Sequence, residues 1–351
     1  MNSRQRVRLA LTGGIPDQVP FAFGFFSQSL PGIGDPDARW NSDIRFVEFN
    51  PPKEQSGFLR YLTNLPEDLH VGNRSQLQTY HEWGYHPEQG RKRPLSHIAT
   101  LRELKAAVLP DTTHPRRHAG LRRQVRGWHD QGLAVAGAPP HLGGQLFETA
   151  WRLRGFANFM EDLLERPALI NYLLDQLTAM LLHNVTILAR AGVDILLLDD
   201  DVAMPTGLLI SPATWRTFFK PRLKAAIEQA RQNAPDLLVF YHSDGDFSRL
   251  IPDLAEIGVN AINPVAPDCM DAGAIRREFG SRLAFWGTVG SALAWDRGTP
   301  EQIGTEVQRR IAESGPGGLL LAPAYDIDFT PAENLEAFAH AARNFESARQ
   351  T

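Results

Sequence analysis

Cysteine is almost missing from this chain: of 351 residues, only Cys269 is one. That excludes an internal disulfide and any zinc cluster built from several thiolates. No apolar run reaches the roughly 18 residues that a membrane-spanning helix needs. Positive charge is not in excess, with 36 Lys and Arg against 40 Asp and Glu and a formal net charge of -4, so nothing in the balance favours nucleic acid. The N-terminal residues 1–8 (MNSRQRVR) lead into no long apolar region, which argues against a secretory leader. Walker loop, nucleophile elbow and HExxH pattern are absent, and no glycine-rich dinucleotide fingerprint follows an apolar run. These absences predict a cytoplasmic protein with no membrane and no nucleic-acid partner. A hydrophobic content of 43% with 22% charged residues is that of a globular domain.

What the chain does have is a repeated pattern. Short apolar runs ending in polar residues recur at 19–25, 133–138, 194–199, 237–242, 261–265, 283–287 and 318–322, with helical patterns between them. An eighth is expected within 75–83. Strands alternating with helices make a parallel sheet, buried on both faces, which accounts for Ile195-Leu196-Leu197-Leu198. Seven or eight such units without a dinucleotide fingerprint predict an α/β chain folded as one (β/α)8 TIM barrel over residues 1–351. Residues 31–113 are rich in Pro, Gly and polar residues, and predict a long loop-rich insertion after the first strand, reaching to about residue 130.

Helix starts are clearly marked. Thr299-Pro300-Glu301-Gln302 and Thr330-Pro331-Ala332-Glu333 each place a capping hydroxyl before a proline, and Ser211-Pro212 opens a third helix. Pro167 is expected to divide the long helical stretch 156–191. Arg116, Arg117, Arg122, Arg123 and Arg126 read as the solvated side of a helix whose inner face is Leu121, Val125 and Trp128.

Chemistry-bearing residues gather after these runs. His242 and Asp244 are two apart at the end of one strand and project to the same side, a pair suited to holding a metal or moving a proton, or to a purely structural hydrogen bond. Asp199, Asp200 and Asp201 end another strand. Adjacent carboxylates repel, so at least one needs a cation, a proton or hydrogen bonds; Asp199 and Asp201 share a side and Asp200 faces away. Glu148, at a loop–helix junction, reads as a ligand, a base or a residue favoured by the helix dipole. Trp286 with Thr288, Asn263, and Tyr325 with Asp326 and Asp328 follow later strands and fall near the same mouth.

Together, residues 4–20 (RQRVRLALTGGIPDQVP), 147–156 (FETAWRLRGF), 199–212 (DDDVAMPTGLLISP), 241–258 (YHSDGDFSRLIPDLAEIG), 263–271 (NPVAPDCMD), 285–290 (FWGTVG) and 317–338 (GGLLLAPAYDIDFTPAENLEAF) resemble the uroporphyrinogen decarboxylase superfamily. That group includes the decarboxylase and methyltransferases that move methyl groups between corrinoid proteins and thiols. The resemblance implies a barrel with its site at the C-terminal mouth, and a homodimer. It also implies a zinc motif of the form His-x-Cys with a second Cys after the last strand. Here His242 matches the His, but Asp244 stands at the first Cys position and Tyr325 at the second. Such a set is harder and more Lewis acidic than a thiolate site, and suits an oxygen-bearing substrate. The arginine-rich signature with which the decarboxylases grip their polycarboxylate is missing too, since residues 21–41 offer only Arg39.

The sequence therefore predicts a member of the methyltransferase-like branch. A divalent metal, zinc by the resemblance, would be held by His242, Asp244 and Glu148. Asp200, Asp201 and Tyr325 would serve catalysis beside His242, and Glu148, Trp286, Thr288 and Asn263 would contact a small-molecule substrate. The reaction expected is methyl or other one-carbon transfer, with a corrinoid carried by a partner protein. A metal-free decarboxylase or lyase using Asp200 or Asp201 with His242, and a non-catalytic ligand-binding barrel, are the alternatives.

Overall fold

The computed structural model describes residues 1–52, 58, 61, 74–86, 93–290, 292–315 and 317–344. Seven strands form one parallel sheet: β1 (Ile44–Val47), β2 (Ala134–Gly137), β3 (Ile195–Asp199), β6 (Leu238–His242), β7 (Ala261–Asn263), β8 (Ala284–Val289) and β9 (Leu319–Pro323), in that spatial order. A small antiparallel pair, β4 (Ala203–Met204) and β5 (Gly207–Leu208), lies in the loop after β3. The ring is closed by residues 20–22. Ala22 N donates to Leu321 O at 2.9 Å and Leu321 N to Pro20 O at 2.8 Å, while on the other side Asp43 N donates to Phe21 O at 3.1 Å. The first expected strand is thus a single bridge that acts as the eighth stave.

The eighth expected strand lies elsewhere. Residues 74–82 form the helix Arg74–Glu82, and the missing strand is β1, inside the stretch expected to be an insertion. The other expected runs all appear as strands. Pro167 divides the long helical stretch, ending Phe156–Glu165 and starting the 25-residue helix Pro167–Ala191. Thr299 caps Pro300–Ser314 with Gln302 completing the capping box, and Ser211 caps Pro212–Phe218. Thr330 does not cap: its hydroxyl donates to Asp296 and the helix Ala332–Arg343 starts without a side-chain cap. In Leu121–His129, Leu121 and Val125 are buried and Arg122, Arg123 and Arg126 exposed. Arg117, expected on the solvated side, is instead buried against Glu82.

Strand alternation divides the core in two. Ile195, Leu197, Leu238, Phe240, Ala261, Ala284, Trp286, Leu320 and Ala322 face inward, and small alanines make room for Trp286 and Phe240. Leu196, Leu198, Val239, Ile262 and Phe285 face outward, against helices that supply Leu173, Leu181 and Ile227. No helix among the described residues is long and apolar enough to cross a membrane.

Two buried charges tie outer segments to this barrel. Arg154 donates to Asp162 Oδ2 at 2.7 Å and to the carbonyls of Leu95 and Ile98, anchoring the chain before β2 to the helices after it. Asp162→Ala leaves that guanidinium buried without its carboxylate, and is expected to cost about 3–5 kcal/mol, read from the urea midpoint of unfolding. Asp37 accepts from Phe23 N at 3.1 Å beside the closing stave, and burial pushes its carboxyl up to about 6. Between the unfolded value near 3.8 and about 6, the folded protein keeps a proton that the unfolded chain has released, so stability falls as pH rises through that window. Asp37→Asn is expected to gain on the wild type by up to about 3 kcal/mol from pH 4 to 6 and to run parallel to it above, measured by denaturant unfolding across pH.

Candidate metal centre

At the carboxyl end of the barrel, the inward lines of apolar residues finish in polar ones: Ile195 and Leu197 lead to Asp199, Leu238 and Phe240 to His242, and Ala261 to Asn263. Register sets these three side by side, with Asp199 opposite His242 and His242 opposite Asn263.

His242 is buried and held in one orientation. Its Nδ1 lies 2.5 Å from Asn263 Oδ1, and Asn263 Nδ2 donates to Trp286 O at 2.6 Å. With the amide nitrogen committed to a carbonyl, the oxygen faces the imidazole, so Nδ1 carries the proton and Nε2 looks into the mouth. Phe25 stacks on the ring, centroids 4.4 Å apart at 25°. From Nε2, Asp201 Oδ1 is at 3.4 Å and Asp244 Oδ1 at 3.7 Å. Asp201 Oδ1 also accepts from Asp244 N at 2.7 Å. Ligand atoms of Asp199, Asp201 and His242 all fall within 4.8 Å of one another.

The electrostatics are those of carboxylates crowded around one imidazole. Burial works to lower the His242 pKa, but Asp199, Asp201 and Asp244 lift it to about 10. Burial raises the Asp199 carboxyl well above its usual range, and Asp201, Glu148 and Asp200 add to the rise. Burial also opposes ionisation of Asp201, but the hydrogen bond and charge of His242 hold it below the ordinary value. Two carboxylates and an imidazole that gives up its Nε2 proton make a ligand set suited to a hard or borderline divalent ion.

The expected ligands are only partly those brought together. Asp199, which shares a side with Asp201, joins the group, and Asp244 stands at its exposed edge. Glu148 is close enough to raise Asp199, but its Oε1 accepts from Arg152 Nη2 at 2.9 Å, and Arg152 Nη1 donates to Tyr80 Oη at 3.1 Å. Asp200 faces the other way, fully buried, accepting from Leu146 N and Glu148 N at 3.0 Å each. It caps the helix Phe147–Arg154, and burial lifts its pKa to about 8 against the pull of the amides. Tyr325 donates to Asp268 Oδ2 at 3.1 Å on the rim. Trp286 forms the floor, its Nε1 bonded to Gly24 O at 3.0 Å.

Sequence reasoning missed Phe25 and Gln145. Gln145 brackets Asp199, donating from its backbone to Asp199 O at 2.8 Å and accepting from Asp199 N. Neither residue carries a local signal, because both contacts cross the barrel. Asn263, expected to touch substrate, has both amide ends engaged and instead supports His242. Asn263→Ala is expected to weaken zinc binding about 10–100-fold, read by competition with a chromophoric chelator, while Asn263→Asp, which keeps the acceptor, retains most of it.

Comparison with known proteins identifies the family. Residues 132–345 match the family model for uroporphyrinogen decarboxylase (URO-D). A uroporphyrinogen decarboxylase of Coxiella burnetii is 26% identical over 218 residues, 61% of this chain and 57% of the relative. Methylcobamide:CoM methyltransferase MtaA of Methanosarcina barkeri is 27% identical over 186 residues, 52% of this chain and 51% of the relative. The chain thus spans little more than half the length of these relatives. A solved methyltransferase from Methanosarcina mazei shares the fold, with a TM-score of 0.65 at 17% identity, covering 97% of this chain and 98% of that one. The matched stretch contains Asp199, Asp201, His242 and Asn263, and by that match the chain belongs to the uroporphyrinogen decarboxylase family.

Proposed function

We propose that this protein is a metal-dependent transferase of methyl or another one-carbon group, acting on an oxygen-bearing small molecule with a corrinoid protein as partner. The observation that carries the reading is the convergence of Asp199, Asp201 and His242 Nε2 at the barrel mouth. A divalent ion held there, zinc being the first candidate, would supply a Lewis acid for the substrate oxygen.

The chain's own residues do the rest. Asn263 fixes which imidazole nitrogen faces the mouth, and Phe25 covers the ring and keeps water from that side. Asp244, exposed at the edge, would exchange a proton with the substrate oxygen, protonating it where that oxygen is the leaving group and deprotonating it where that oxygen receives the methyl group. Trp286 sets the depth of the site. Oxygen is favoured over sulfur because the ligands are hard, and the single thiol, Cys269, is in the loop after β7. The corrinoid partner follows the methylcobamide in the name of one relative.

The decarboxylase alternative asks for several cations to bind carboxylates. Arg39 stacks on Trp40 at 5.2 Å and Arg152 is engaged by Glu148. Protein purified without a histidine tag is expected to carry about one equivalent of divalent metal per chain. Elemental analysis should show it lost in His242→Ala and Asp201→Ala, together with methyl transfer. A metal-free wild type that turns over a carboxylated substrate would sink the proposal.

A further inference from the structure

Thr288 combines two costs at one residue. It is 1% exposed and its Oγ1 has no hydrogen-bond partner among the described residues, although a buried hydroxyl left unpaired is destabilising. Its φ is 72°, a region that β-branched residues rarely enter.

The surroundings hold it there. Thr288 N donates to Pro264 O at 3.0 Å. Gly287 approaches the same carbonyl so closely that an added Cβ would stand 2.4 Å from the oxygen. Beside them Asn263 Nδ2 bonds Trp286 O, so the end of β8 is clamped to the turn after β7. Phe285 and Val289 pack outward while Ala284 and Trp286 pack inward. Thr288 is therefore in the inward register, one step nearer the mouth than Trp286 and on the strand next to Asn263. Strain and an unsatisfied polar group that persist together beside a site mark a residue kept for what binds there.

We propose that Thr288 Oγ1 is a specificity contact, a hydrogen-bonding group for the ligand oxygen in the barrel mouth. This rests on the oxygen-bearing substrate proposed above. Thr288→Val tests it cleanly, because valine keeps the shape and the β-branch, so the backbone strain is unchanged and only the hydroxyl is lost. The probes are methanol, ethylene glycol and methoxybenzene, with binding to the protein as purified followed by saturation-transfer NMR. The variant is expected to melt at the wild-type temperature or above and to keep its metal content. Affinity for the best probe should fall about tenfold, with recovery in Thr288→Ser. A melting temperature several degrees lower, unchanged probe affinity, or no probe bound by the wild type would each overturn the assignment. A wild type without metal that still binds a probe through Thr288 would fail the metal reading alone.

Discussion

A ring of parallel strands keeps its shape only if its two edges meet, since an open edge leaves a row of unpaired amides and carbonyls. Here the meeting point is narrow: residues 20–22 bond to Leu321 on one side and to Asp43 on the other. The Asp43 carboxylate reinforces it, accepting from Phe21 N at 3.1 Å and from Arg6 at 2.7 Å. The site depends on this closure. The chain that leaves it carries Phe25 over His242 and Gly24 O to the Trp286 indole, so the same few residues that shut the barrel also roof and floor the candidate site.

Inside the ring, the alternation of strand side chains does two jobs with one period. Lower down it interleaves alanines with Trp286 and Phe240 to fill the interior. At the carboxyl end it delivers Asp199, His242 and Asn263 to neighbouring positions. The charge pattern follows from burial. Carboxylates crowded around one imidazole make the proton hard to remove, and a divalent cation is the natural substitute for it.

Much of this could be read from the chain because its signals are local. Buried strands such as β3 announce themselves by continuous apolar runs, and Pro167 and the Thr299 capping box mark helix boundaries without tertiary help. The inward pairing of Asp199 with Asp201, and of His242 with Asp244, follows from spacing alone. β1 was hidden because Ile44–Val47 is only four residues long and contains Arg45, in a stretch dominated by proline, glycine and polar residues. The apolar spacing of 74–82 serves a helix as readily as a strand. Arg117 and Glu148 look like solvent-facing or ligand charges until Glu82 and Arg152 appear beside them. The cover of Phe25 and the grip of Asn263 on His242 involve residues distant in sequence, and no local rule reaches them.

The three consecutive aspartates at the end of β3 have different occupations, and this bears on how the gene can vary. Slipping the chain by a single residue would still leave an acid facing the mouth, so the local chemistry would look preserved. The same slip would keep an acid at the middle position, which caps Phe147–Arg154, but would bring Leu198 or Val202 to one of the two positions beside His242. A run that seems redundant as text therefore protects the helix cap but not the pair: an insertion or deletion there costs one of the two carboxylates beside His242, so what enforces the reading frame at this point is the barrel mouth and not the helix.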